Sequence, residues 1–298
     1  MEKDEFNTLP IGIFDSGVGG LTVYRALHDR LPNEHFVYLG DTARVPYGTK
    51  SLATIERYAL ENSAFLASLG IKMLVVACNT ASALALPAMR AHIGLDVVGV
   101  IGPGGRKAIE EAKCNDPRIG VIATEATVQS NAYAEAIHRS CASAVVLQSA
   151  CPLFVPLAEE GWTDEPETFS IAKRYLAEMR KFRPDALVLG CTHYPILRNT
   201  IQQTVGKDVK LIDSGEATAD EVATLLAEKG LANPNVVHGE RKLCDDLDHF
   251  YVTDAAERFA HIAERFLGSK PSKLEAIEVY GSDRLAGNRK ADLNKHNQ

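Results

Sequence analysis

No stretch of this 298-residue sequence approaches the roughly 18 consecutive apolar residues that would span a bilayer. The N-terminus, Met1-Glu2-Lys3-Asp4-Glu5, is acidic where a secretory signal would be basic. Neither a membrane nor export is expected, and the chain reads as cytoplasmic. Lysine and arginine never gather into a block or stripe, and the formal net charge is −7, so nucleic acid is not an expected partner. None of the six cysteines forms a CxxC pair. There is also no HxH, HExxH or Cys/His cluster of zinc spacing, so no metal site is expected. A cytoplasmic chain of this size needs no disulfide framework, and Cys78, Cys114, Cys141, Cys151, Cys191 and Cys244 are read as free thiols.

What the chain does have is a core and a rhythm. Hydrophobic residues make up 46% of it, enough to bury a real interior, and the length suits two ordinary domains or one large one. Short apolar runs alternate with longer amphipathic ones. Ile11-Gly12-Ile13-Phe14 reads as a buried strand, Leu21 to Leu31 as a helix and His35 to Leu39 as a second strand. Ser51 to Leu69 reads as a long helix with Ser51 as its N-cap, Met73 to Ala77 as a third strand, and Thr80 to Met89 as the helix after it. Strands that are apolar throughout, with helices between them, indicate a parallel sheet covered on both faces. Ligands of such folds bind beyond the carboxyl ends of the strands.

The pattern then begins again. Ile119-Gly120-Val121-Ile122 matches the first strand, Ala144 to Leu147 the second and Ala186 to Leu189 the third. After the third strand one copy reads Ala77-Cys78-Asn79-Thr80 and the other Gly190-Cys191-Thr192-His193. The interval between the cysteines nearly equals that between Ile11 and Ile119. The sequence therefore predicts two α/β units related by duplication, each carrying a cysteine at the same point. A strand over Val209 to Ile212 and helices near Ala219 to Glu228 and Asp254 to Phe266 complete the globule. Ser282 to Gln298 lacks apolar periodicity and reads as a mobile tail.

The residues after each strand are the candidates for chemistry. A free thiol is only a few per cent ionised at neutral pH, so a catalytic cysteine needs a helix N-terminus or a charged neighbour. Cys78 and Cys191 have such positions. The other four cysteines do not, and read as packing thiols. His193, two residues beyond Cys191, is placed to exchange a proton with the thiol or with a substrate. Asp15-Ser16-Gly17-Val18-Gly19-Gly20 follows the first strand and could cradle an anion. A dinucleotide fingerprint, however, would need glycine where Thr22 stands, and the strand ends in a carboxylate. Pro46-Tyr47-Gly48 is a turn after the second strand. Thr124 and Thr127, after the strand that mirrors the first, are candidate carboxylate donors. Trp162 and Glu159-Glu160-Gly161 read as a loop near the second cysteine.

Together these segments resemble the glutamate racemases of bacterial cell-wall synthesis. The likeness rests on Ile11 to Gly20, Val45-Pro46-Tyr47-Gly48, Ala77-Cys78-Asn79-Thr80-Ala81-Ser82 and Gly190-Cys191-Thr192-His193-Tyr194-Pro195, in family order, and runs from about Leu9 to Gly268. The resemblance implies two pseudo-symmetric parallel-sheet α/β domains with the active site in the cleft between them. Residues 9–98 with 212–268 would form the first, 99–211 the second, and 269–298 a polar tail. It implies Cys78 and Cys191 as opposed proton donor and acceptor, assisted by Asp15 and His193. Asp15, Ser16, Tyr47, Gly48, Asn79, Thr80, Thr192 and His193 would hold L- or D-glutamate, with no pyridoxal phosphate, metal or nucleotide as cofactor. A homodimer is compatible with it. One departure is Ala123-Thr124, where the family tends to have Gly-Thr. Members that need a cell-wall precursor as activator carry a longer N-terminal extension; with Ile11 so near Met1, that control is not expected.

Three other readings stay open at this point. An aspartate or other amino-acid racemase of the same superfamily differs in cleft shape alone. A nucleotide-binding oxidoreductase would carry bound NAD. A two-lobed amino-acid-binding module would hold glutamate without turning it over, and would leave paired thiols without a purpose.

Overall fold

The computed structural model describes residues 3–237 and 239–279. The tail expected from Ser282 onward lies outside the described residues. After a short helix α1 (Lys3–Asn7), the first unit runs β1 (Ile11–Asp15), α2 (Leu21–Arg30), β2 (Phe36–Gly40), α3 (Leu52–Ser68), β3 (Met73–Val76), α4 (Asn79–Leu84), α5 (Leu86–His92) and β4 (Asp96–Gly99). The chain then crosses through α6 (Ile101–Ala112) to β5 (Arg118–Ala123), α7 (Glu125–Gln129), α8 (Ala132–Ser140) and β6 (Val145–Ala150). Next come α9 (Phe154–Glu160), α10 (Pro166–Tyr175), α11 (Ala177–Phe182), β7 (Ala186–Gly190), α12 (Arg198–Val205) and β8 (Lys210–Asp213). It returns through α13 (Ser214–Lys229) to β9 (His249–Val252), α14 (Ala256–Leu267) and β10 (Leu274–Ala276).

Two separate sheets result, every strand pairing in parallel. The first has the order β10-β9-β2-β1-β3-β4 and the second β6-β5-β7-β8. With β1 matched to β5, the run β2-β1-β3-β4 has the same order as β6-β5-β7-β8. The pseudo-symmetric α/β architecture read from the sequence is therefore the fold observed. It follows from composition: all of β1, β2 and β7 is buried, because helices cover both faces of each sheet. Burying each large apolar side chain such as Ile11, Ile13 or Phe14 contributes roughly 1.5–3 kcal/mol before entropy is counted.

Differences from the sequence reading have local causes. The helix expected over Thr80 to Met89 is two helices, because Pro87 lies at the start of α5 and Ala85 sits between them at φ −114°. Ser51 occupies the N-cap position of α3, but its hydroxyl bonds the Thr54 side chain (3.0 Å) rather than a backbone amide. Pro195 opens a 3-10 turn, Tyr194–Leu197, ahead of α12. Part of the segment expected as a polar tail forms β10, hydrogen-bonded to β9. A boundary at 211/212 runs through β8, which pairs with β7 along its length.

Candidate active site

The carboxyl ends of the matched strands bring the candidate residues together. Asp15 closes β1, and its carboxylate accepts the Gly17 amide at 2.9 Å while its Oδ1 has no protein partner. Cys78 follows β3 as the N-cap of α4. Its sulfur accepts the Ala81 amide at 3.4 Å, and its thiol lies 3.4 Å from the Ser16 hydroxyl. Burial, and then the Asp15 carboxylate, push the Cys78 thiol up to about 12, against the bonds from Ser16 and Ala81. Asp15 is itself raised by burial, held back by the positive charge of His193 and the amides of Gly20, Gly17 and Ser16.

Cys191 follows β7 at the equivalent point, its sulfur 3.8 Å from His193 Nδ1. The other ring nitrogen, Nε2, meets Glu159 Oε1 at 3.1 Å, and Glu159 Oε2 meets Arg258 at 3.3 Å. Burial opposes the imidazolium, but the Cys191 and Glu159 side chains outweigh it and raise the His193 pKa. Burial likewise opposes the Glu159 carboxylate, while His193 and Arg258 hold it below its ordinary value. Each thiol thus has its own polar partner: a carboxylate beside Cys78, an imidazole backed by a carboxylate beside Cys191.

The two halves interlock around these groups. The Thr22 hydroxyl donates to the Thr192 carbonyl at 2.8 Å. Gly19 lies directly against the Thr192 and His193 side chains, where a Cβ would collide with both. Thr80 from the first unit and Thr124 and Thr127 from the second form a hydroxyl triangle with edges of 3.0, 3.2 and 2.9 Å. Gly48 stands against Thr124, within 3.0 Å of a Cβ if it had one. Asn79 donates to the Tyr133 hydroxyl at 2.8 Å. All of Cys78, Cys191, Asp15, Asn79, Thr80, Thr192 and His193 are buried.

Tyr47 is also buried, and its hydroxyl donates to Asp41 rather than standing free for a ligand. Asp41 additionally takes Asn62 (3.1 Å), Thr253 (2.9 Å) and Arg44 (2.7 Å). This carboxylate is the anchor of the Pro46-Tyr47-Gly48 turn. Glu159 and Glu160 end helix α9 rather than forming a loop, and Trp162 is exposed beyond it. The Tyr133, Ser214 and Arg258 side chains had no signal in the sequence, since each reaches the site from a separate element. Among the described residues all six cysteines are free, and no helix is long and apolar enough to cross a membrane.

Two mirrored α/β units thus carry a buried thiol at each matched strand end, one from each unit. The chain belongs to the Asp/Glu/Hydantoin racemase family, whose pattern it matches over residues 11–222. Within it the relatives are glutamate racemases. That of Geobacter metallireducens is 51% identical over 269 residues, spanning 90% of this chain and 96% of the relative. That of Syntrophus aciditrophicus is 45% identical, spanning 94% and 100%. The solved glutamate racemase of Francisella tularensis in complex with D-glutamate superposes with a TM-score of 0.82 at 38% identity, covering 92% of this chain and 99% of that one. The protein is an isomerase, an amino-acid racemase.

Proposed function

We propose that this racemase interconverts L- and D-glutamate by two-base chemistry, with Cys78 working on one face of the α-carbon and Cys191 on the other. The observation that carries the reading is the placement of one buried thiol at the matched strand end of each unit, each against its own polar side chain, Ser16 for Cys78 and His193 for Cys191. Glutamate as substrate is supported by the relatives' names and by the D-glutamate held in the Francisella structure. The reaction would supply D-glutamate for peptidoglycan synthesis in the cytoplasm.

The chemistry follows from charge. Removing the α-proton leaves negative charge on the substrate's α-carboxylate, and donors fixed beforehand offset that cost. The Thr80 and Thr192 hydroxyls are suited to it, while the unpartnered Asn79 Oδ1 accepts from the α-ammonium, and Ser16, Gly48 and the Tyr47 main chain face the rest of the substrate. Asp15, buried with an unpartnered oxygen, takes the α-ammonium. Burial is the larger reason that Cys78 is held protonated and the Asp15 charge the next; the ammonium cancels the second, so substrate binding itself lowers the thiol's pKa. His193, 3.8 Å from the Cys191 sulfur and held on its other side by Glu159, is the matching partner on the opposite face. In each direction one thiolate removes the proton and the opposite thiol delivers another, after which the two cysteines have exchanged states.

Heavy water tests this. D-glutamate formed early from L-glutamate should carry deuterium at the α-carbon, while unconverted L-glutamate keeps hydrogen. Cys78→Ala and Cys191→Ala should each cut racemisation in both directions by at least about 10²–10⁴-fold, the usual worth of a positioned acid or base. Protium in the early product, or deuterium washed into unreacted substrate, would mean a single base. Assay with aspartate alongside separates the two substrates.

A further inference from the structure

Helix α6 begins Ile101-Gly102-Pro103-Gly104-Gly105, a poor helix former that the reaction does not explain. Its environment does. A Cβ on Gly104 would stand 3.2 Å from Ser214 Cβ and 3.4 Å from Tyr133 Cε1, and one on Gly190 would stand 2.9 Å from Tyr133 Cε2. These two glycines form a slot for the Tyr133 ring, one from α6 and the other from the residue before Cys191. The slot ends at the site. Asn79 Nδ2 lies 2.8 Å from the Tyr133 hydroxyl and 3.3 Å from Ser214 Oγ. Ser214 in turn donates to the Leu189 carbonyl at 3.2 Å. All three side chains are buried, and Asn79 Oδ1 has no protein partner.

We infer that Tyr133 and Ser214 are positioning residues for the Asn79 amide: they grip one end of it and leave the other as the only part able to meet the substrate. The inference rests on the substrate role given to Asn79 above. An asparagine amide otherwise turns about a broad, roughly two-fold torsion. Here a chain of hydrogen bonds anchored on a β7 backbone carbonyl removes that freedom. Because Asn79 belongs to the first unit and Tyr133 to the second, the same grip sets the register of one thiol-bearing unit against the other. Glycine at 104 and 190 is what makes room for it.

A double-mutant cycle on the full-length enzyme tests this, with glutamate racemisation followed by circular dichroism and folding checked by thermal melting. Tyr133→Phe keeps the ring and removes the hydroxyl. It should raise KM for both enantiomers about tenfold, the scale of one lost hydrogen bond, with a smaller effect on kcat and an unmoved pH profile. In an Asn79→Ala background the same change should add nothing, because the group it positions is gone. Ser214→Ala, read through the same cycle, serves if Tyr133→Phe melts early. Equal losses in both backgrounds would overturn the inference. So would an unimpaired Tyr133→Phe and Ser214→Ala beside an impaired Asn79→Ala. An Asn79→Ala enzyme with unchanged KM would instead remove the substrate role of Asn79, and the inference with it.

Discussion

Glu159→Gln keeps the shape of the side chain at His193 and removes its charge. The pair is 3.1 Å apart, with the His193 side chain 10% and the Glu159 side chain 23% exposed, so solvent screens it little. A hydrogen bond to a charged group contributes about 1.5–3 kcal/mol. At about 1.4 kcal/mol per pKa unit, losing it should lower the His193 pKa by about 1–2 units. Arg258, left without its partner, pushes in the same direction. The basic limb of kcat/KM against pH, followed by circular dichroism from either enantiomer, should move toward neutrality by that amount, while the acid limb stays. Stability carries a second signature. The raised His193 stabilises the fold below the ordinary histidine range and ceases to as pH rises through its folded value; the depressed Glu159 does so above the ordinary carboxylate range and ceases to as pH falls through its folded value. The pair therefore helps most at mildly acidic pH, between the ordinary carboxylate and histidine ranges, and the melting-temperature loss in Glu159→Gln should peak there and fade toward both extremes. A basic limb that does not move would refute the reasoning, because Glu159 would then have no hold on the ring.

Lys72 and Glu34 form a buried ion pair at 2.6 Å, and Lys72 also donates to the Asn7 and Leu231 carbonyls. Lys72→Met strands the carboxylate and should cost about 3–5 kcal/mol in chemical denaturation; a loss under 1 kcal/mol would show that water reaches the site. Dialysed, chelator-treated enzyme should racemise glutamate at the rate of untreated enzyme. Activity that returns only on adding a metal or pyridoxal phosphate would reject cofactor-independent chemistry.

Much of the fold was legible because its central strands are apolar throughout and its helices periodic. Ile11 to Phe14 and Ile119 to Ile122 announce their units, and the second cysteine announces the repeat. β9 and β10 were not legible: β10 is a three-residue edge strand, and β9 is four residues long, with only Phe250 and Val252 turned into the core. Residues directly after strands were readable as site candidates because strand ends converge in such folds. Glu159 was legible only as part of a run near the second cysteine, since its tie to His193 joins α9 to the turn after β7 across 34 positions and exists only once the helix has packed. The tie between the Tyr47 hydroxyl and Asp41 was not legible for a related reason: it exists only once the turn has folded back on the end of the preceding strand.

The chain passes between the two sheets twice, through α6 on the way out and α13 on the way back, and these two helices pack against each other. The two connections between the units are therefore one paired seam, and a shift of either unit against the other has to be absorbed there. Elsewhere the units touch through Gly48 against Thr124 and Arg258 on Glu159. The carboxylate that backs His193 is thus also a strut between the halves, so one side chain serves both the charge of the site and the seating of its two walls.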